Sequence, residues 1–343
     1  MSEANQVIDL GTPAESSPVL AQLRGGLSSK PRTLWGDAWR RFRRHKLAML
    51  GAVILLIFSV SVLIGPGIYT ALRVRQAAAA GTPIPANERD FRKLMEQLDF
   101  VAIMSKPSHE HAFGTDDLGR DLLARAIYGG RISLLVGVVA MIIAISLGSA
   151  IGAVAGFFGG KIDQALMRLT DLFLSLPQLP LLLLTIYLFR EPVTKVLGPE
   201  VGIFMIVVTM VGGLAWMSTA RIVRALFLSL KEKEFVEAAT CLGIGRRSIM
   251  FRHILPNALS PIIVAATLEV GNAIITESTL SFLGVGFPPD TPTWGRLVTD
   301  GSQFLQAAPH MALIPGTLIF LTVLSINFMG DGLRDALDPR SRL

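Results

Sequence analysis

Charge is what this sequence has least of. Asp, Glu, Lys and Arg make up 17% of its 343 residues, against about 25% in an ordinary soluble domain. A soluble fold of that length must cover itself with polar groups, and this chain lacks them. Cysteine is almost absent: Cys241 stands alone, which excludes a disulfide scaffold. There are five histidines and no HExxH spacing, so the zinc-hydrolase pattern is missing. Polar low-complexity sequence is confined to the N-terminal end, which excludes disorder for most of the length, because disordered chains are poor in apolar residues. What remains is hydrocarbon: 51% of the residues are hydrophobic, and the mean hydropathy is +0.53. Such a composition belongs to a membrane protein. The formal charge of +6 would suggest nucleic acid in a soluble protein; in a membrane protein it reports basic cytoplasmic loops.

A bilayer core of about 30 Å takes roughly 20 apolar residues in a helix. Six stretches meet that length: Leu47 to Ile68, Ile132 to Phe158, Leu166 to Phe189, Val201 to Thr219, Leu259 to Leu283 and Met311 to Met329. The third contains Arg168, Asp171, Pro177 and Pro180, and the fifth contains Glu269 and Glu277. Prolines are tolerated where neighbouring helices satisfy the freed carbonyls. Gly148, Gly152 and Gly156 recur every four residues and make a small face for close helix packing. The pattern predicts an all-α polytopic membrane protein with about six transmembrane helices. With the N-terminus inside, twenty of the 32 Lys and Arg fall on the cytoplasmic side, so both termini are expected to be cytoplasmic.

Residues 1–34 are rich in Ser, Pro, Gly and Ala and read as a disordered cytoplasmic tail. They have no basic region followed by an apolar one, so they are not a signal peptide. Residues 35–46 (WGDAWRRFRRHK) place Trp35, Trp39 and Phe42 on one helical face among arginines, which suits an amphipathic juxtamembrane helix or a plain basic flank. Residues 47–343 form the membrane domain, with a long outer loop over 69–131 and a cytoplasmic loop over 220–258. The outer loop begins with a linker and a short helix. Its His109, Glu110 and His111 invite a metal reading, but adjacent loop residues rarely complete a site.

The 220–258 loop is too patterned for a connector. Phe235, Ala238, Ala239, Leu242 and Ile249 make an apolar stripe on a charged helix, Gly243 and Gly245 turn between two short helices, and Pro256 ends the second. One reading is a DNA-binding helix-turn-helix. A recognition helix held against the bilayer could hardly enter a major groove, so nucleic acid is not expected as a partner. The others are a docking element for a cytoplasmic protein and a loop that only packs under its own bundle.

Glu237-Ala238-Ala239, then Gly243, then Leu255-Pro256 resembles the EAA loop of the permease subunits of ABC importers. The family spacing is kept, except that His253 stands where the family carries Ile, with Ile254 beside it. Further segments are similar to the C-type permease subunit of oligopeptide or dipeptide importers, the peptide/nickel class: HAFGTDDLGRDLLARAIYGGRISL (His111 to Leu134), GGKIDQALMR (Gly159 to Arg168), LSFLGVGFPPDTPTWG (Leu280 to Gly295) and GDGLRDALDPR (Gly330 to Arg340). The likeness runs from about Trp35 to the C-terminus.

The resemblance implies a type I ABC importer permease fold in the bacterial inner membrane, forming half of a path for peptides. It implies four kinds of partner: a homologous B-type permease, two ATP-binding subunits, an extracytoplasmic binding protein and the peptide itself. Glu237, Ala238, Ala239, Gly243, Leu255 and Pro256 would couple the chain to the ATPases. The cargo stays open among dipeptides, oligopeptides, glutathione, nickel and antimicrobial peptides.

The residues themselves agree with a non-enzymatic role. The nearest approach to a phosphate loop is Gly160-Lys161, but Ile162 replaces the hydroxyl and Ala155 the first glycine. The chain is therefore expected to bind no cofactor, with ATP and magnesium used by its partners. Asp171, Glu269 and Glu277 are costly in lipid and should face the bundle interior. They are candidates for the translocation path, where they could meet the cationic end of a peptide, or for helix–helix hydrogen bonding, or for a proton relay. An ion-coupled secondary transporter is the alternative function, although no internal repeat is visible. An intramembrane Ser–His hydrolase is implausible, because no histidine lies inside a span.

Overall fold

The computed structural model describes residues 34–337 apart from 80 and 83. All but the last residue of the expected tail lies outside the described residues, as do Arg340 and Arg342. Among the described residues there is no β-strand, only an isolated bridge between Thr115 and Asp121. Besides a 3-10 turn at Ala86–Glu88, the described residues form twelve helices: α1 (Leu34–Arg44), α2 (Lys46–Ala79), α3 (Phe91–Glu96), α4 (Leu122–Phe158), α5 (Gly160–Ser175), α6 (Gln178–Leu197), α7 (Pro199–Gly213), α8 (Trp216–Lys231), α9 (Glu234–Cys241), α10 (Arg246–Phe282), α11 (Trp294–Ser302) and α12 (His310–Leu337). Five helices or joined pairs are long and apolar enough to cross a membrane, and the bent pair α5–α6 makes a sixth.

Helix α4 is the spine. Its Gly148, Gly152 and Gly156 lie against α8 so closely that a Cβ at Gly152 would stand 2.4 Å from the Ala220 carbonyl oxygen. At Gly148 and Gly156 it would stand 2.6 Å from Thr219 Cβ and Phe227 Cβ. The small face expected from the sequence is thus the α4–α8 interface, where only hydrogen side chains allow backbone contact.

Several boundaries differ from those expected. The first span runs past Ile68 to Ala79, because residues 71–79 (ALRVRQAAA) are strong helix formers and Tyr69 packs with Leu94 and Met95. Helix α4 starts at Leu122, with Asp121 accepting from the Leu123 and Ala124 amides. The outer loop is therefore shorter than 69–131. Pro66 deprives the α2 carbonyl at Val62 of its donor, and Arg131 of α4 supplies two, Nε to Val62 O at 2.8 Å and a terminal nitrogen to Leu63 O at 3.3 Å.

The third span is not one helix from Leu166 to Phe189. It breaks at Leu176-Pro177, and its halves meet at 84°. Residues before proline are pushed out of the helical region, and Leu176 is extended (φ −78°, ψ 136°). The fourth span is interrupted at Leu214-Ala215. Pro256 does not end a short helix. Residues Ile249–Ile254 form a π-helical stretch that runs directly into the fifth span. The Leu255 amide bonds to Met250 O, five residues back, and Pro256 then occupies the first turn, where no N–H is required.

Helix α1 lies against the ends of α2 and α12, burying Ala38 and Phe42 with Ala48 and Ala336. Trp39 stacks on Phe42 at 6.0 Å yet remains 60% exposed beside Arg40, Arg43 and Arg44.

Candidate functional site

Three regions carry the chain's chemistry. The first is α9 and its flanks. Val236 and Ala239, three residues apart, are buried in a cluster with Phe227, Ile249, Ile254 and Ala258, with Leu255 packed at its edge. The opposite face presents Glu234, Phe235, Glu237, Ala238, Cys241 and Leu242 to solvent, and Leu242 is 80% exposed. Gly243 ends the helix. Its φ is +73°, its amide bonds to Thr240 O at 3.0 Å, and the Ile244 amide bonds to Ala239 O at 3.1 Å. This is the Schellman cap, whose left-handed residue is nearly always glycine. A Cβ at Gly243 would meet nothing within 4 Å, so the requirement is conformational. Lys231 ties the segment to the end of α4 by donating to Phe157 O at 2.8 Å. The structure thus brings Ala239 and Leu255 into one core and leaves Glu237, Ala238, Gly243 and Pro256 on the surface.

The second region is a cleft of about 350 Å³ bordered by both span breaks and the middle of α10. Phe173, Leu176 and Gln178 line it from the α5–α6 break, Leu214, Ala215 and Ser218 from the α7–α8 break, and Glu269, Asn272 and Thr276 from α10. Irregular backbone at membrane depth is tolerated where it lines such a cavity. Of the three intramembrane acids, only Glu269 borders this cleft. Asp171 pairs with Arg221 on α8, one turn from a bidentate Asp163–Arg224 pair, so two ion pairs fasten α5 to α8. Glu277 is fully buried and accepts from Ser281 Oγ at 2.8 Å, Thr293 Oγ1 at 2.8 Å and Ser133 Oγ at 3.3 Å.

The third region lies where two sequence segments flagged separately, 111–134 and 280–295, converge. Arg125, 3% exposed, lies 3.3 Å from Asp116 and 3.8 Å from Asp300, and donates to Pro289 O. Burial pushes the Asp300 carboxyl above its ordinary range, against the pull of Arg296 and Arg125. Trp294 donates through its indole to Ala126 O at 2.9 Å. The Thr293 hydroxyl that reaches Glu277 also caps α11. His111 Nδ1 sits 2.8 Å from Asp121, whose carboxylate caps α4, so this histidine serves the loop's architecture. Among the described residues no group of three His, Cys, Asp or Glu is placed to hold a metal ion.

Sequence reasoning missed Gln178, Ser218, Asn272 and Thr276 as cleft residues and Arg221 and Arg224 as partners of the acids. The prolines at 177 and 180 and the Gly212-Gly213 pair were the available signals. They mark breaks, and breaks mark cavities, but nothing in the order of residues says which breaks face each other.

Residues 148–343 match the family described as binding-protein-dependent transport system inner membrane component, and residues 33–80 match the N-terminal TM domain of oligopeptide transport permease C. The chain is 39% identical to the oligopeptide transport system permease protein OppC of Haemophilus influenzae, over 91% of this chain and 90% of that protein. It is 36% identical to the dipeptide transport system permease protein DppC of Alkalihalophilus pseudofirmus, over 90% of each. It is also 36% identical to the glutathione transport system permease protein GsiD of Escherichia coli, over 90% of this chain and 91% of that protein.

Proposed function

The chain belongs to the family of binding-protein-dependent transport system inner membrane components, and from that premise we propose how it works. It is a multi-pass transmembrane subunit of a peptide importer, with the fold of a type I ABC permease. Family membership does not favour the ion-coupled alternative.

The finer reading follows. The importer is driven by ATP, hydrolysed with magnesium on two partner ATPase subunits. This chain pairs with a homologous permease and receives cargo from an extracytoplasmic binding protein. Both termini and α9 face the cytoplasm of a bacterium, and α9 is the element that docks on the ATPase. One observation carries the coupling reading. The inner side of α9 is locked into the core by Val236 and Ala239 while its outer side offers Phe235, Glu237, Ala238 and Leu242 unpaired. A force on that outer side passes through the buried contacts to α8 and α10, the helices that wall the cleft. Closure of the ATPase dimer then shifts the balance of inward-facing and outward-facing states, through contacts that differ between the two. Glu237 supplies a charge at the contact, Ala238 allows close approach, and Gly243, Leu255 and Pro256 fix the helix at both ends of the loop. The interfacial α1, with Trp39 outward among arginines, anchors the bundle to an anionic inner leaflet.

Cys241 is the one cysteine in the chain and is exposed on the docking face. A membrane-impermeant maleimide should label it in inverted vesicles and not in intact cells stripped of their outer layers. A short bifunctional maleimide should cross-link it to the ATPase subunit in the assembled complex. Labelling from the outer side would refute the orientation and the coupling role together.

A further inference from the structure

We propose that Glu269 is the cation-recognising group of the translocation path, and that it selects cargo carrying a free N-terminal ammonium. This rests on the importer reading and adds a chemical preference to it. A carboxylate at membrane depth is costly unless something meets it. Asp171 has Arg221, and Glu277 has three hydroxyls. Glu269 has the neutral side chain of Asn272 as a hydrogen-bond partner and no Lys, Arg or His within 4 Å among the described residues. It stands half-buried on the wall of the 350 Å³ cleft, a volume within the range of small-ligand sites, roughly 300–1,000 Å³.

The surroundings favour a guest rather than a missing internal partner. Both broken spans open onto this cleft, so Glu269 lines a place where the bundle is interrupted from two sides. Asn272, Thr276, Gln178 and Ser218 share the lining and supply neutral hydrogen-bonding groups without competing charge. An α-amino group with an ordinary pKa of about 7.7–8.0 is mostly protonated at neutral pH. It therefore brings the single positive charge that the cleft lacks, on a backbone common to every linear peptide. A preference set there acts after the binding protein has released its cargo, and it is independent of side-chain identity.

The test uses the assembled importer in proteoliposomes, with its cognate binding protein loaded to a measured occupancy. Two cargoes are compared: trialanine, and its analogue lactyl-alanyl-alanine, in which a hydroxyl replaces the ammonium. The readout is the ratio of their ATP-dependent uptake per loaded binding protein, which is insensitive to how much permease folds. The wild type should favour trialanine by about tenfold, the low end for a charge pair removed from bulk water. Glu269→Gln should bring the ratio close to one, and Glu269→Asp should keep most of it. A ratio that stays high in Glu269→Gln, or a wild-type ratio near one, would overturn the assignment while leaving the importer intact. Absence of ATP-dependent uptake of either cargo by the wild type would overturn the importer reading, and this one with it.

Discussion

Replacing Gly152 by alanine adds a single methyl group where there is no room for one. The new Cβ would stand 2.4 Å from the Ala220 carbonyl oxygen, 2.9 Å from Val223 Cβ and 3.0 Å from the Arg224 nitrogen. Two of those three atoms are backbone, so no rotamer change relieves the clash. Helix α8 must retreat by about 1 Å to restore an ordinary non-bonded distance. It is held on either side by the contacts at Gly148 and Gly156 and by the Lys231–Phe157 bond. Overpacking of this kind costs about 1–3 kcal/mol. Against it stands the gain in helix propensity from glycine to alanine, up to ~1 kcal/mol. Because two of the clashing atoms are backbone, the overpacking cost lies in the upper part of its range, about 2–3 kcal/mol, and the net loss is about 1–2 kcal/mol. Differential scanning calorimetry of the purified complex should show Tm lowered by about 2–4 °C. Gly67→Ala is the control, since nothing lies within 4 Å of its Cβ and only the propensity gain operates. Peptide uptake by Gly152→Ala should fall as well, because α8 leads straight into α9. If Gly152→Ala matched Gly67→Ala in Tm, the close α4–α8 contact would not exist as described.

Gly243→Asp should abolish uptake while leaving membrane insertion intact. It puts a β-carbon on a residue with φ of +73°, a cost of about 1–2 kcal/mol, and a charge at the exposed end of α9; normal uptake with the partners present would remove α9 from the proposed coupling role. Glu277→Ala leaves the hydroxyls of Ser281, Thr293 and Ser133 without their shared acceptor, at about 1–3 kcal/mol for each group left unpaired. Limited proteolysis should then cut between residues 284 and 293 faster than in the wild type, while Glu277→Gln, which keeps a carbonyl acceptor, should lie between the two. Arg131→Leu strands the carbonyl at Val62, whose helical donor Pro66 lacks, so the complex should unfold at lower temperature, and Pro66→Ala in the same chain should recover part of the loss by returning an N–H to the helix.

The number of spans and the small face of α4 were legible in residue order, because bilayer thickness and a four-residue repeat are local properties; the prolines of the third span were visible, but the 84° bend there was not. The short helix that ends at Gly243 was legible as well, in the glycine that turns the chain. The three intramembrane acids were visible as candidates but equivalent, since each is a carboxylate in an apolar run. Only the fold separates them, by setting Arg221 opposite Asp171, closing three hydroxyls around Glu277 and leaving Glu269 at an opening.

The same division holds for the chain as a whole. Its sequence alone determined that it crosses a membrane, how often, and that it carries a glycine-capped helix on a basic loop; hydrophobic length and backbone conformation depend on neighbours in the chain. Tertiary structure decided that the α5–α6 and α7–α8 breaks share one cleft, that Arg125 meets both Asp116 and Asp300, and that a π-helical stretch leads the chain into the fifth span at Leu255. Those outcomes depend on which distant segments come within a few ångströms of each other, and contact of that kind is set by how helices pack.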